Sequence, residues 1–357
     1  FKGEDVAKAK KPTMADVAAR AGVSLSTVSL TYSGAGPISP DTKARVERAA
    51  EELGYGGPSP QGRALRSGRS GIVGVVIHEK FARSFRDPLN LRILDSLIAD
   101  FGLMGVGVLL IPQPTGEPGE RTLLDTAAMD AVVVLRVRDH DEPALQIAKR
   151  RGIPLVVMEG PAPEGAGSLD IDDTDATVQL IRHLRDLGHE RIGTVTLPFG
   201  VEADTRIITR EETSRAAWTP IHHRLDAFEI AGVEPCVIVE SHASMVEAGI
   251  AAGHLALAHE SKPTAIVCQS DLLAGGVILA AKEKGLSVPD DLSVTGFDGL
   301  DLPWVAPHEV TTMKQDGAAK GRVLASEVKA LLDGRTPERV VMPLEFRRGN
   351  TTGPVPA

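Results

Sequence analysis

The sequence predicts an α/β protein in which a small helical unit precedes a core of parallel strands flanked by helices. Unbroken apolar runs of strand length recur after residue 70, beginning with Gly71–Ile77 (GIVGVVI) and Val106–Ile111 (VGVLLI). Amphipathic helical patterns, such as Asp175–Leu187 and Ala274–Lys284, lie between these runs. Because strands that alternate with helices are typical of parallel sheets, the pattern predicts both the fold class and the strand direction.

The same unit repeats along the whole core. The other predicted strands are Ala131–Leu135, Pro154–Met158, Ile192–Leu197, Cys236–Val239, Ala265–Cys268 and Ser293–Phe297. The strand–helix units divide about equally before and after Asp172, which predicts two similar lobes.

Residues 13–55 predict three short helices. Thr13 and Asp16 form a variant of the capping box, which starts the first helix. Ser24 is placed to cap a second helix, Leu25–Tyr32. A Ser-Pro pair starts the third helix, where proline at the first helical position loses no hydrogen bond.

The first two helices, joined by a tight turn, have the layout of a helix-turn-helix DNA reader. The outward face of the second helix would present Leu25, Ser26, Ser29 and Leu30, while Val28 points inward. The alternative is a small helical bundle with a serine-rich surface, and the joint pattern favours the DNA reader. The candidate DNA-contacting residues of this unit are Thr13, Ser24, Leu25, Ser26, Thr27, Ser29, Leu30, Ser33 and Ser39.

Several segments resemble the lactose-repressor (LacI/GalR) family of bacterial transcription regulators. In the head they are ADVAARAGVS at residues 15–24, ISPDTKARV at 38–46 and AAEELGY at 49–55. Further on, GLSVPDDLSVTGFDG (285–299) and VTTMKQD (310–316) follow in the family's order. The resemblance covers nearly the whole chain and implies a two-lobed, periplasmic-binding-protein-like core with a ligand cleft between the lobes.

The resemblance also implies a division into four segments. We expect a flexible arm at residues 1–12, a helix-turn-helix headpiece at 13–57, a hinge segment at 58–70 and an effector-binding and dimerisation core at 71–357. Within the core, lobe 1 would comprise about residues 71–171 and 317–342, and lobe 2 about residues 172–316 and 343–357. Leu65 stands at the position of the family's leucine that wedges into the DNA minor groove.

By the same resemblance, candidate effector contacts lie in the cleft. Arg224 matches the family's effector-binding arginine, and Asp298 matches the aspartate that accepts hydrogen bonds from effector hydroxyls. The other candidates are Phe85, Asp87, Glu159, Ser270 and Asp271. An arginine and carboxylates that converge on one cleft can bind a polyhydroxylated ligand, so we expect a carbohydrate-like effector.

Some of these residues have alternative interpretations. Asp298 has the alternative of a turn residue at the end of its strand, and Asp271 is favoured as a helix N-cap over a ligand contact. Trp218 and Trp304 are candidates for stacking on a sugar face, although packing is the favoured role for a single tryptophan. The aromatic residue that stacks on sugar in many relatives is absent from residues 241–249.

Charge is distributed unevenly along the chain. The net charge is −9 at pH 7, yet residues 1–70 carry +4, from 11 Lys and Arg against 7 Asp and Glu. The remainder therefore carries −13. A basic head on an acidic core suggests a polyanionic partner at one end only.

Other protein classes are disfavoured. The sequence has no G-x-S-x-G, phosphate-cradling or H-E-x-x-H motif, so no enzyme is expected. Cys236 and Cys268 lack metal-ligand spacing, so we expect reduced thiols, no metal and no cofactor. No apolar run approaches the roughly 18 residues of a membrane span, which suggests a cytoplasmic protein without a membrane partner. The remaining alternative is a cytoplasmic small-molecule-binding protein of the sugar-binding class without a regulatory role.

The predicted function is that of a sequence-specific transcriptional regulator, most simply a repressor. A homodimer would read the half-sites of a near-palindromic double-stranded DNA operator, because one head offers too small an interface for genomic specificity. No leucine heptads follow Arg348, so we expect a dimer rather than a tetramer. Effector binding would change the angle between the lobes and thereby the affinity for DNA.

Overall fold

The computed structural model describes residues 11–34, 36–58, 62, 68–77, 81–117, 119–200 and 203–356. The chain divides into two compact units, residues 1–70 and residues 71–357. The predicted wedge residue Leu65 lies outside the described residues.

The N-terminal unit contains three helices, α1 (Met14–Ala21), α2 (Leu25–Ser33) and α3 (Pro40–Leu53). Each begins at a hydroxyl residue whose side chain accepts a backbone N–H. The three pairs are Thr13 with Asp16, Ser24 with Thr27, and Ser39 with Thr42. The predicted capping box is present in full, since the Asp16 carboxylate accepts from the Thr13 backbone N–H at 2.8 Å.

Small apolar side chains hold these helices together. Val17, Val28 and Val46 are fully buried, with Ala49 and Ala50 beside them. Val28 therefore points inward as predicted. The residues in contact across helices are small, so the axes can approach closely and leave the polar faces in solvent.

The core is built from strands and helices in alternation. Its strands are β1 (Ile72–Ile77), β2 (Gly107–Pro112), β3 (Ala131–Leu135), β4 (Leu155–Met158), β5 (Gly167–Ile171), β6 (Ile192–Thr196), β7 (Arg206–Ile208), β8 (Ile238–Glu240), β9 (Ala265–Cys268), β10 (Ser293–Asp298), β11 (Thr311–Lys314), β12 (Arg339–Met342) and β13 (Glu345–Arg347). Its helices are α4 (Phe81–Ser84), α5 (Pro88–Leu103), α6 (Leu123–Thr126), α7 (Pro143–Arg151), α8 (Asp173–Asp186), α9 (Thr219–Ile230), α10 (Val246–Ala258), α11 (Asp271–Glu283) and α12 (Gly317–Leu332).

The strands form two separate sheets, and each sheet with its helices is called a lobe here. The first lobe has the order β12-β5-β4-β3-β1-β2, with every pair parallel. The second lobe has the order β13-β11-β10-β9-β6-β8-β7, and only its edge strands β13 and β7 are antiparallel to their neighbours. The chain changes sheet after β5, after β11 and after β12.

One strand of the core is not among the predicted strands. Residues 198–218 are rich in charged residues, but Arg206–Ile208 form the edge strand β7 and Glu211–Arg215 form a 3₁₀ turn. Ion pairs between Arg206 and Glu212 (2.7 Å) and between Arg206 and Glu240 (3.3 Å) hold this segment on the sheet edge. Charged residues are common on edge strands, which hides such strands from hydrophobicity patterns.

Two glycines allow α12 to pack closely against α5 in the first lobe. A Cβ atom at Gly321 would lie 2.5 Å from the carbonyl oxygen of Ile93 and 2.8 Å from the backbone nitrogen of Leu97. At Gly317 the nearest atoms, on Arg92 and Leu89, would be 3.1 Å away. The backbones of the two helices therefore meet at Gly321, where no side chain fits.

We expect Gly321→Ala to lower the free energy of unfolding by about 1–3 kcal/mol, because the new methyl group forces the two backbones apart. Gly102→Ala is the matched control on α5, where a Cβ would meet nothing within 4 Å. That change should be neutral or stabilising by about 0.5–1 kcal/mol, since alanine favours the helix. Urea unfolding followed by circular dichroism measures both, and equal stabilities of the two variants would contradict the close approach.

Candidate ligand cleft and nucleic-acid interface

A cavity lies between the two lobes, at the carboxyl ends of their strands. Arg136, Glu159, Gln269 and Gln315 line it, and each directly follows a strand, namely β3, β4, β9 and β11. Asp298, the last residue of β10, lines it as well. The space free of atoms is about 970 Å³ when the open mouth is included. This is the position at which parallel α/β sheets bind ligands.

The backbone is strained at three of these positions. Arg136, Glu159 and Asp298 have φ angles of 64°, 56° and 119°. Among the described residues, Lys262 is the one other non-glycine residue with a positive φ. Such conformations are costly for residues with a side chain and cluster at functional sites. All three residues line the cavity, so the costly backbone conformations coincide with the candidate site.

Five of the seven predicted effector contacts line the cavity: Asp87, Glu159, Arg224, Ser270 and Asp298. The other two, Phe85 and Asp271, do not line it. Phe85 is 42% exposed and its ring packs against Phe81, with centroids 5.9 Å apart. Asp271 is fully buried behind the cavity wall, where its carboxylate accepts from the backbone N–H of Leu300 at 2.6 Å.

The N-cap role favoured for Asp271 is also wrong. Ser270 is the N-cap of α11, since its hydroxyl accepts from the Leu273 backbone N–H at 3.2 Å. Ser244 donates to the same hydroxyl at 2.9 Å. Asp271 occupies the first helical position and is tied to the loop after Asp298. It therefore supports the cavity wall from behind.

Arg224 is buried and held by groups of its own lobe. Its Nε and Nη2 donate to Asp173 Oδ1 at 2.8 and 2.7 Å, and Nη1 donates to the carbonyl oxygen of Gln269. The guanidinium lies 3.7 Å from the centroid of the Phe297 ring. These contacts use three of the five N–H donors that a guanidinium carries. Asp173, the first residue of α8, was not predicted, although it is what keeps Arg224 in place.

A second polar cluster crosses from one lobe to the other. Lys320 on α12 donates to Glu159 Oε1 and to Gln315 Oε1, and Gln315 Nε2 donates to Asp298 Oδ1 at 2.7 Å. Burial alone would raise the pKa of Glu159, but the nearby Lys320 and Arg136 hold it at about 2. Burial and the Asp87 carboxylate raise the pKa of Asp298 well above its ordinary value.

Sequence reasoning missed Arg136, Gln269, Gln315 and Lys320. The first three share a signal that a sequence does carry, because each is the first residue after a buried strand that ends at the cleft. Lys320 had a weaker signal. It stands in the apolar stripe of α12, between buried positions 317 and 324, where a lysine needs a partner.

Of the two tryptophans, one lines the cavity. Trp218 is 8% exposed at the start of α9, and the guanidinium of Arg138, from the first lobe, lies 5.7 Å from its ring centroid. Glu142 holds Arg138 through two bonds of 2.9 and 3.0 Å. Trp304 is 48% exposed and lies outside this cavity.

Further contacts join the lobes at the cleft mouth. Arg83 donates to the carbonyl oxygen of His242 at 3.3 Å, and Arg86 pairs with Glu247 at 2.5 Å. Arg86 and Glu247 are both more than half exposed, so their pair contributes at most about 1 kcal/mol. The mouth is therefore closed by weak contacts and the interior by buried ones.

On the N-terminal unit, the predicted DNA contacts fall into two groups. The hydroxyls of Thr13, Ser24 and Ser39 accept the capping bonds of the three helices, and Thr13 and Ser39 also donate to Asp16 and Thr42. Their hydrogen-bonding capacity is therefore largely used within the fold.

The other group lies on the surface of α2. Leu25 is 51% and Leu30 36% exposed, Ser26 and Ser33 are exposed, and Thr27 and Ser29 are half-buried. Ser33 also donates to the carbonyl oxygen of Leu30 at 3.4 Å, which follows from its place at the helix end. Leu25, Ser26, Ser29 and Leu30 share one face of α2, opposite the buried Val28. By the prediction, this is the face that would enter a DNA groove.

The described residues show neither a metal site nor a membrane span. No three His, Cys, Asp or Glu side chains in this part of the chain are grouped so that they could hold a metal ion. None of its helices combines the length and apolarity needed to cross a bilayer. Cys236 and Cys268 are free thiols.

Comparisons with known proteins match both units. The family described as "Bacterial regulatory proteins, lacI family" matches residues 13–57, and the "Periplasmic binding protein-like domain" matches residues 181–352. An HTH-type transcriptional regulator of Mycolicibacterium smegmatis is 32% identical over 360 residues, which is 97% of each chain. The HTH-type transcriptional repressor CytR of Escherichia coli (strain K12) is 31% identical over 330 residues, 88% of this chain and 89% of CytR.

Solved structures agree on the fold. The transcriptional regulator CelR–cellobiose complex is similar with a TM-score of 0.65 and 25% identity, over 95% of this chain and 99% of that one. The Lac repressor dimer bound to operator and the anti-inducer ONPF has a TM-score of 0.77 and 22% identity, over 96% and 100% of the two chains.

The fold and the matches define a DNA-binding transcriptional regulator with a periplasmic-binding-protein-like core. The chain belongs to the lacI family of bacterial regulatory proteins. The predicted family and the predicted α/β fold class with a helix-turn-helix headpiece are confirmed.

We expect Asp271→Asn to make the core more stable at high pH. Burial raises the pKa of Asp271 from 3.8 to about 7, so the folded protein keeps a proton that the unfolded chain has lost. Its contribution to the free energy of unfolding therefore falls as the pH rises from about 4 to 7. Asparagine removes this titration. The free energy of unfolding of the variant, relative to that of the natural chain, should therefore increase by roughly 2–3 kcal/mol between pH 5 and pH 8.

Urea unfolding at pH 5, 6, 7 and 8 measures this gain. Asp290→Asn, at an exposed position, is the control for the substitution itself. A stability difference for Asp271→Asn that stays constant with pH would show that Asp271 does not titrate with folding.

Proposed function

We propose that the chain is a repressor that binds a near-palindromic DNA operator as a homodimer, and that a small polyhydroxylated molecule in the cleft controls its affinity for DNA. The observation that carries this proposal is the cavity between the lobes, which polar side chains line from both sides. The names of two structural neighbours support the class, since one binds cellobiose and the other is an operator-bound dimer.

The lining of the cavity favours a neutral ligand with many hydroxyls. Asp87 in the first lobe and Asp298 in the second each have one oxygen engaged within the protein, which leaves the other oxygen for a ligand. Arg224 supplies donors beside them. Hydroxyl groups both donate and accept, so they can satisfy carboxylates and guanidinium groups at once.

The apolar part of the lining complements these polar groups. Leu89, Ile93 and Met158 from the first lobe and Trp218 from the second line the same cavity. Sugar rings present C–H faces between their hydroxyls, and aromatic rings pack well on such faces. In this proposal Trp218 takes the place of the aromatic residue that is absent from residues 241–249.

Dimerisation is supported by exposed apolar side chains on α5 of the first lobe. Leu91 and Ile98, seven positions apart and therefore on one face of the helix, are 42% and 43% exposed. Contiguous exposed apolar patches mark interfaces between proteins. A dimer would bring two headpieces to one DNA duplex and double the number of base contacts.

A ligand-binding protein without a regulatory role is the second candidate, and a catalytic role has less support. Relatives across nearly the whole chain are transcriptional regulators, and a helix-turn-helix head has no use in a simple binding protein. Retention of a DNA duplex by the purified full chain at moderate salt separates the first two candidates.

Asp298→Ala should weaken effector binding at least tenfold, because it removes an acceptor from a desolvated site, at a cost of about 1–3 kcal/mol. DNA binding without effector should stay within a few fold. Asp301→Ala, three positions further on at a side chain that is 82% exposed, is the control. Calorimetric titration with the best compound from a saccharide screen gives the affinity. Equal affinities of the two variants would remove Asp298 from the site.

The double change Ser26→Ala and Ser29→Ala should weaken binding to a selected operator by about 1 kcal/mol or more, since base-edge hydrogen bonds are lost. Binding to random duplexes should barely change, because it depends on phosphate charge. Ser39→Ala is the control at a helix cap and should instead lower the stability of the head by about 1 kcal/mol. Fluorescence anisotropy measures DNA binding, and equal losses on both kinds of DNA would contradict base reading by α2.

A further inference from the structure

Lys320 is a charged residue buried within an apolar stripe. It is 1% exposed, and the neighbouring positions on the same face of α12 are Gly317, Gly321 and Leu324. Its ammonium group donates to Glu159 Oε1 and Gln315 Oε1, beneath the floor of the cleft. Lys320 itself does not line the cavity, whereas both of its partners do.

The ammonium group dictates the orientation of the Gln315 amide. An ammonium has three donors and no acceptor, so the oxygen of Gln315 must face it. The Gln315 NH₂ group then faces Asp298 and donates to its Oδ1 at 2.7 Å, while the Gln315 backbone N–H donates to the Asp298 carbonyl at 3.1 Å. Lys320 in the first lobe therefore donates to Gln315, and Gln315 donates in turn to Asp298 in the second lobe.

The same ammonium group balances a buried carboxylate. Glu159 is held in a left-handed backbone conformation at the cavity, with Lys320 on one oxygen and Arg136 4.0 Å from the other. An unpaired carboxylate at this depth would take up a proton and become a donor. With Lys320 present, Glu159 can act only as an acceptor.

We propose that Lys320 is a positioning residue of the effector site: by orienting Gln315 and neutralising Glu159, it fixes which floor atoms of the cleft accept hydrogen bonds from the effector. The inference rests on the proposed function for the identity of the ligand. The contacts of Lys320 with Glu159 and Gln315 do not depend on it. Lys320 acts without touching the effector, and it ties the floor contributed by the second lobe to a helix of the first.

The first test uses the full chain without ligand. Lys320→Met keeps the length of the side chain and removes the charge, and Lys329→Met on the exposed side of the same helix is the matched control. Nuclear magnetic resonance follows the side-chain amide of Gln315 and the carboxyl carbons of Glu159 and Asp298 through a pH titration. The Gln315 signal is identified by its absence from Gln315→Met.

Lys320→Met should shift the Gln315 amide signal. It should also raise the pKa of Glu159 well above its value of about 2 in the natural chain, because Lys320 no longer lowers it. Lys329→Met should change neither. Unchanged Gln315 and Glu159 signals in Lys320→Met overturn the proposal. If that variant does not fold, Lys320→Met combined with Glu159→Gln buries no unpaired charge. The Gln315 signal then decides the outcome by the same criterion.

The second test uses a panel of mono- and disaccharides, led by cellobiose, with affinities measured by calorimetry. For a compound that binds the natural chain, Lys320→Met should weaken binding at least tenfold. In a Gln315→Met background, the factor by which Lys320→Met weakens binding should be at least threefold smaller. An equal factor in both backgrounds overturns action through Gln315, because independent effects multiply. If no saccharide binds the natural chain, the carbohydrate part of the proposed function fails, while the ligand-free titration still decides the role of Lys320.

Discussion

Charged side chains buried between two lobes must be paired, and this requirement organises the whole cleft. An isolated ion at such depth would lose more hydration energy than the fold could recover. Arg224 is therefore matched with Asp173, and Lys320 with Glu159. One member of each pair, Arg224 or Glu159, lines the cavity. The ligand site is, in physical terms, the set of donors and acceptors that pairing within the protein does not consume.

In the proposed function, a ligand in the cleft contributes more to its closure than the contacts at the mouth do. The Arg86–Glu247 pair at the mouth is exposed and salt-screened, so its contribution is about 1 kcal/mol or less. A ligand that satisfies Asp87 in the first lobe and Asp298 in the second replaces water at desolvated groups, and leaving such a buried polar group without a hydrogen bond costs about 1–3 kcal/mol. The contacts of the interior therefore outweigh those of the mouth.

The sequence was a good guide wherever structure depends on local patterns. Caps at Thr13, Ser24 and Ser39 and the strands after residue 70 could be predicted because hydrogen-bond geometry and apolar runs act over a few residues. The site was predicted less completely. Asp173 and Arg224 are 51 residues apart, and no local pattern states that they meet. The edge strand β7 was missed because it has only three residues within a charged segment, and its pairing with β8 and the Arg206–Glu240 ion pair form only in the folded sheet.

Effector control of DNA binding requires that the effector distinguish two arrangements of the lobes, since a ligand with equal affinity for both shifts nothing. A contact to one lobe alone cannot make this distinction, because it persists when the lobes separate. Asp87 belongs to the first lobe and Asp298 to the second, so a molecule that bridges them binds only while they face each other. The Lys320–Gln315–Asp298 chain sharpens the distinction, because it fixes the acceptor of the second lobe from a helix of the first. The free energy available for control is then the difference between effector binding to both lobes and binding to one lobe alone. It can reach the 1–3 kcal/mol typical of coupling between sites.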